Sequence, residues 1–190
     1  DVCSSDLERV LLRDAISTTK VTTSATASDA MPTGATYLTG GDTWSGSSWT
    51  GTANPYLFNT LSYEVTGSSA LPGSNYYWFY AFANSGSSQP TSFVIQGTFD
   101  EDGDFSAPGV STVFYPVIVN QMQPGTTIDG TAYAGTSTIG SISRNKLYNL
   151  KVVLKNKGAL SPTENINPAD LSITVTVAPW PAAIVQEVAF

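Results

Sequence analysis

Histidine is absent from the chain, and cysteine occurs once. Without histidine the commonest general base is missing, and so are the Ser–His and Cys–His nucleophile systems and most zinc and copper sites. A single cysteine cannot close an internal disulfide, which is neutral about compartment. Charge is scarce too, at 12% of residues, about half the usual share of a soluble domain. Basic side chains are missing altogether from Val21 to Ser143: Arg9, Arg13 and Lys20 precede this stretch and the other five lie from Arg144 onward. With a net charge of −7 and a pI near 4.3, the chain lacks the clustered cations that nucleic acids and anionic membrane surfaces require. No apolar run approaches the roughly 18 residues of a membrane helix. Nor does the start show the basic region and apolar run of a signal peptide.

Thr, Ser and Gly take the place of charge, beside 41% hydrophobic residues. These suit strands and turns better than helices. The 190 residues are ample for a core, and no linker calls for a second domain. Period-two alternation marks half-buried antiparallel strands. In Thr91–Phe99, Phe93, Ile95 and Phe99 share one face, and Val94, Gln96 and Thr98 the other. In 145–155, Tyr148, Leu150, Val152 and Leu154 point inward while Asn149, Lys151 and Lys155 meet water. In Leu171–Val177, Leu171, Ile173, Val175 and Val177 alternate with Ser172, Thr174 and Thr176. Val113–Val119 contains Pro116, which cannot donate to a ladder, so this strand belongs at an edge or beside a bulge. The run Tyr76–Phe82 is aromatic on both faces and reads as a central strand. Residues 38–55 look least ordered. Strands near 76–83, 91–99, 112–119, 145–155 and 170–178 predict an all-β fold, an antiparallel β-sandwich with Greek-key-like connections.

Few groups invite chemistry, and the chain reads as a non-enzyme without cofactor or metal. Asp100, Asp102 and Asp104 suggest calcium, but Gly103 lies between the second and third acids and no Glu closes an EF-hand loop. A solvated hairpin tip is the simpler reading, and acids there lack the burial that glycoside hydrolysis needs. Trp44 and Trp49, with Tyr37 and Tyr56 nearby, are candidate ligand-stacking aromatics for a sugar; the plainer reading is that they plug one end of the sandwich.

The last segment is the most informative. Pro179, Trp180 and Pro181 break the ladder and form a hinge. Ala182–Phe190 then reads as another strand, with Ile184, Val188 and Phe190 on one side and Val185 and Ala189 on the other. Terminal segments are usually polar and frayed; this one needs a groove. Its own sheet could supply one, or a second subunit could, with the strand added in trans. The hinge favours the second.

At the other end, Asp1-Val2-Cys3-Ser4-Ser5-Asp6-Leu7 is what one frame of a widely used sequencing-library adaptor encodes. Residues 1–7 are therefore expected to be non-native, from a truncated metagenomic gene, and loosely packed. The rival reading makes Cys3 an acylated lipoprotein cysteine. Residues 8–190 then form the single sandwich domain, with 182–190 as its terminal strand segment.

Several blocks are similar to the fimbrillin (type V pilin) family of FimA- and Mfa-like major fimbrial subunits. Asn75–Asn84 resembles an aromatic strand ending in an Asn-containing turn, and Pro90–Phe99 the strand that follows it. Phe114–Asn120 continues the order. Ile142–Leu150 resembles the family's Arg-Asn-x-x-Tyr strand, here Arg144, Asn145 and Tyr148. Asn167 through Trp180 resembles its terminal strand and tryptophan. These blocks cover about residues 75–190, whereas 8–74 match poorly. The resemblance implies the C-terminal, transthyretin-like domain of a two-sandwich pilin. Such pilins are exported through the outer membrane as lipoproteins and trimmed by an arginine-specific protease. Trimming opens a groove that a neighbour's C-terminal strand fills. By the same resemblance Arg9 and Arg13 would lie near the domain junction, and neither is assigned as the trimming site.

The expected function is thus a structural subunit of a cell-surface fimbrium that supports adhesion. It would polymerise head to tail with other pilin subunits through a donor strand, Ala183, Ile184, Val185, Gln186, Glu187, Val188, Ala189 and Phe190. The alternative is a tip or accessory adhesin, or a carbohydrate-binding β-sandwich module, with a host or bacterial surface receptor as partner.

Overall fold

The computed structural model of the chain describes residues 4–16, 36–37, 43–50, 58–60, 80–86, 89–106, 108–136, 140–164 and 171–179. Among them lie ten strands: β1 Ser4–Arg13, β2 Thr43–Trp44, β3 Trp49–Thr50, β4 Phe58–Thr60, β5 Ser92–Asp100, β6 Ser111–Ile118, β7 Thr126–Ile128, β8 Thr131–Ala132, β9 Lys146–Leu154 and β10 Leu171–Pro179. They form one sheet in the order β4-β1-β5-β6, a second in the order β8-β7-β10-β9, and a small β2-β3 hairpin.

The two larger sheets face each other because their inward residues are apolar at every second position. Val117 of β6 packs with Ile173 and Val175 of β10, and Ile128, Tyr148, Leu150, Val152, Leu154 and Val177 close around them. Further along, Phe99, Val113 and Tyr115 meet Ile95 and Leu154. Leu12 and Ala15 continue the core beside Phe93. Each fully buried side chain of this size is worth about 1.5–3 kcal/mol in transfer from water. The all-β sandwich and the strands expected from Thr91, Val113, Asn145 and Leu171 are therefore present, and Tyr148, Leu150, Val152 and Leu154 turn inward as expected.

Pro116 sits on an edge strand, as its missing donor requires. Phe114 turns its N–H and C=O outward to Ala159, both at 2.8 Å. Pro116, two residues on, faces the same way, so no bond to β5 is lost.

Four expectations need correction. The second sheet is mixed: β10 runs antiparallel to β9 but parallel to β7. Tyr76–Phe79 lie outside the described residues, but 80–83 belong to no strand, and Tyr80 is 82% exposed. Aromatic content on both faces does not define a strand when there is no alternation to bury. Residues 4–7 are not loose: Ser4, Ser5, Asp6 and Leu7 pair with Asp100, Phe99, Thr98 and Gly97. Within 38–55, residues 43–50 form a hairpin whose tip is fixed by Ser45, which bonds Ser48 through both backbone and hydroxyl.

Candidate functional site

The proposed donor segment Ala183–Phe190, Trp180 and Pro181 lie outside the described residues. Pro179 is the last residue of β10 and stands opposite Lys146 of β9. The strand that delivers the chain to this point is interior, with β9 on one side and β7 on the other. β7 is short and stops at Ile128, so β10 outruns it. Asp129 takes over: its N–H donates to Val175 O at 3.0 Å, and its Oδ1 accepts the Val177 N–H at 2.9 Å. Asp129 does this from a left-handed backbone, φ 46°, which Asp tolerates better than most side chains. A carboxylate thus stands in for a missing strand partner near the end of β10, and the last residue, Pro179, brings no N–H.

The stacking aromatics are positioned by the β2–β3 hairpin, where Trp44 pairs with Trp49 across the strands. Trp44 is half-buried and meets the Phe114 ring edge-on, centroids 4.9 Å apart and planes at 73°. Phe114 lies on the face of β6 opposite to Val113, Tyr115 and Val117, so the hairpin lies over the outer surface of the first sheet. This contact serves packing.

The same outer surface holds polar groups that the sequence reading did not single out. Glu8 falls where the β1–β5 register shifts between Leu7 and Arg9. Its carboxylate accepts from Gln96 Nε2 and Thr98 Oγ1, each at 2.6 Å. A bulge re-aims a side chain in this way. Arg13 ends β1, reaching Pro162 O at 3.3 Å and Asp14 Oδ2 at 3.4 Å. Burial raises the Asp14 carboxyl above its ordinary value, and Arg13 only partly offsets this.

The acidic run departs from a solvated hairpin tip. Asp100 is the last residue of β5, on the face of Val94, Gln96 and Thr98, and it is 0% exposed. Its Oδ2 accepts the Phe105 N–H at 2.6 Å. Asp102 and Asp104 are exposed. The Asp102 carboxyl is held above its ordinary value, first by a hydrogen bond to Asp100 that only its protonated form can donate, with the Asp100 and Asp104 charges adding to it. Asp104 is held below its ordinary value by the Ser106 hydroxyl and N–H, the latter at 2.7 Å.

Two of the blocks quoted above acquire a physical meaning. Asn84 is 2% exposed and bridges to Ile142 through its backbone. Its Nδ2 donates to Gln89 O at 2.8 Å and lies within reach of Thr91 Oγ1 and Asp14 O, while its Oδ1 accepts the Gly86 N–H. In Arg144-Asn145-x-x-Tyr148, Asn145 adopts φ 56° to turn into β9, and the Tyr148 hydroxyl accepts the Ser143 N–H at 2.9 Å. Asn and Tyr are there to make and close a turn.

No protein-family model matches the chain, and no curated protein does. Solved structures are similar to it. One is of a candidate cell-adhesion protein from Parabacteroides distasonis, 19% identical with a TM-score of 0.50, over 93% of this chain and 53% of that one. Another is of a fimbrilin from Porphyromonas gingivalis, 25% identical with a TM-score of 0.41, over 54% of this chain and 33% of that one. At 19% identity the first likeness is one of fold. This chain spans about half the length of that structure. Among the described residues no helix is long and apolar enough to cross a membrane.

Proposed function

We propose that this chain is part of a structural subunit of a bacterial surface fimbrium that supports adhesion, and that Ala183–Phe190 acts as its donor strand. The observation that carries the reading is the place of β10. Both flanks of β10 are occupied up to the Asp129 contact, so the apolar segment beyond Pro181 has no vacant position beside the strand it follows. An acceptor groove on a second subunit would supply one. Head-to-tail pairing of this kind does not close on itself and so builds a filament. Two further points support the reading. The fold is shared with a candidate cell-adhesion protein, and the blocks from Asn75 to Trp180 are similar to fimbrillins in their order. The partners are other pilin subunits, and the place is the cell surface. Adhesion through Trp44 and Trp49 is the weaker reading, because Trp44 spends an edge-on contact on Phe114.

The test is deletion of residues 182–190 in the full-length protein, followed by electron microscopy and a denaturant-resistance assay of surface filaments. Loss of filaments with the subunit still exported is the expected result. Filaments of normal length and stability would sink the proposal.

A further inference from the structure

The end of β5 joins three carboxylates that no cationic side chain among the described residues pairs with. Asp100, Asp102 and Asp104 each offer an oxygen, and these oxygens all lie within 4.8 Å of one another. Proximity of acids alone means little on a surface, but Asp100 is not on the surface. It is 0% exposed, and among the described residues its Oδ1 is buried without a hydrogen-bond partner, while Oδ2 accepts the Phe105 N–H. An acceptor withdrawn from water and left unpaired is destabilising, and more so when charged. The side chains brought towards it are two further acceptors. Lys157 is directed elsewhere, 4.0 Å from Glu101 and 5.6 Å from the Phe99 ring centre.

The chain returning from the loop passes close to this oxygen at Gly109. Gly109 has φ 150°, and a Cβ there would stand 2.9 Å from Asp100 Oδ1 and 3.9 Å from Ser106 O. The returning chain therefore passes the orphan oxygen without a side chain.

We infer that Asp100, Asp102 and Asp104 bind a hard divalent cation, calcium. The donors are all oxygen, which suits calcium and magnesium over zinc or copper. Calcium takes ligands at about 2.3–2.6 Å, so two oxygens on opposite sides of one ion stand about 4.8 Å apart. All three carboxylates thus reach a single ion from where they are. Calcium also accepts irregular sets of 6–8 oxygens completed by carbonyls and water, whereas magnesium demands near-ideal octahedral geometry. An ion here would satisfy Oδ1, relieve the repulsion among the acids, and fix the β5–β6 connection at the end of the first sheet.

Calcium titration of the chelator-treated chain at neutral pH tests this, by calorimetry and by thermal unfolding. We expect one ion per chain and a midpoint raised by several degrees in about 5 mM calcium, a concentration above the weakest extracellular sites. The same concentration of magnesium should raise it less. Asp100→Asn removes the buried ligand but risks the fold, so Asp102→Asn with Asp104→Asn is the decisive variant. Both positions are exposed, and the variant should keep or raise its metal-free midpoint, since two of the repelling charges are gone, while losing the calcium shift. No heat and no shift in the unaltered chain would overturn the inference and leave a proton as what reconciles the acids. A shift undiminished in the double variant would overturn it equally, placing the ion elsewhere.

Discussion

Asn84 ties its own turn to Gly86 and Gln89 and the start of β5 at Thr91 to the end of β1 at Asp14, which is distant in sequence. No apolar residue can replace it, because its removal strands several buried groups at once. Asn84→Ala should lower stability by about 1–3 kcal/mol, the cost of leaving a buried polar partner unsatisfied. Urea denaturation read by tryptophan fluorescence measures it. Asp14 makes a prediction of opposite sign. Burial raises its folded-state pKa above the unfolded value of 3.8. The folded state then holds the proton more tightly, so this group favours folding below that value and progressively disfavours it as pH rises through the folded pKa. Asp14→Asn should remove this penalty. The variant's melting temperature should exceed that of the unaltered chain at neutral pH, and the difference should vanish near pH 3. The left-handed backbone at this position, φ 56°, suits Asn as well as Asp.

At the scale of elements, legibility follows regularity. β5, β6, β9 and β10 are eight or nine residues long; the alternation of β9 and β10 shows their inward faces directly, whereas β6 is legible only as a continuous apolar run. β1 was not read as a strand, although it lies between β4 and β5. The register shift after Leu7 interrupts its alternation, placing Leu7 and Val10 out of step. β2, β3, β4, β7 and β8 are two or three residues each, too short for any period to show, and tertiary contacts alone define them. The candidate sites divide in the same way. Burial of Asp100 runs against the solvated tip expected of it, although the residue continues the Val94, Gln96, Thr98 face by one step. The Trp44–Phe114 contact and the Asp129 bond to Val177 were not legible, because nothing local links residues so far apart in sequence. Another such contact is the strap along β6, where Gly158 passes so close that a Cβ would stand 2.6 Å from Phe114 O and 2.9 Å from the Tyr115 ring. Gly158→Ala should push the strap away and break the two Phe114–Ala159 bonds, at about 0.5–1.5 kcal/mol each. Hydrogen exchange should accelerate at those amides and stay unchanged across β9 and β10.

For the whole molecule the question is whether residues 182–190 belong to this sandwich or to another. Both larger sheets form their described ladders without them, and the core around Val117, Ile173 and Val175 is closed by residues up to Val177. If the segment were an internal strand, burial of Ile184, Val185, Val188 and Phe190 would contribute about 1.5–3 kcal/mol each. Its deletion would then remove most of the 5–15 kcal/mol that a domain typically has. The donor-strand reading predicts otherwise. A chain ending at Pro181 should keep an all-β circular dichroism spectrum and lose no more than about 1 kcal/mol, within the range of changes away from a core. It should also be less prone to associate, since an apolar strand without its groove is an aggregation hazard. Thermal unfolding and analytical ultracentrifugation of the two chains side by side decide the matter. A truncated chain that unfolds many degrees earlier returns the segment to its own sheet, and the fimbrial proposal then loses its mechanism of assembly.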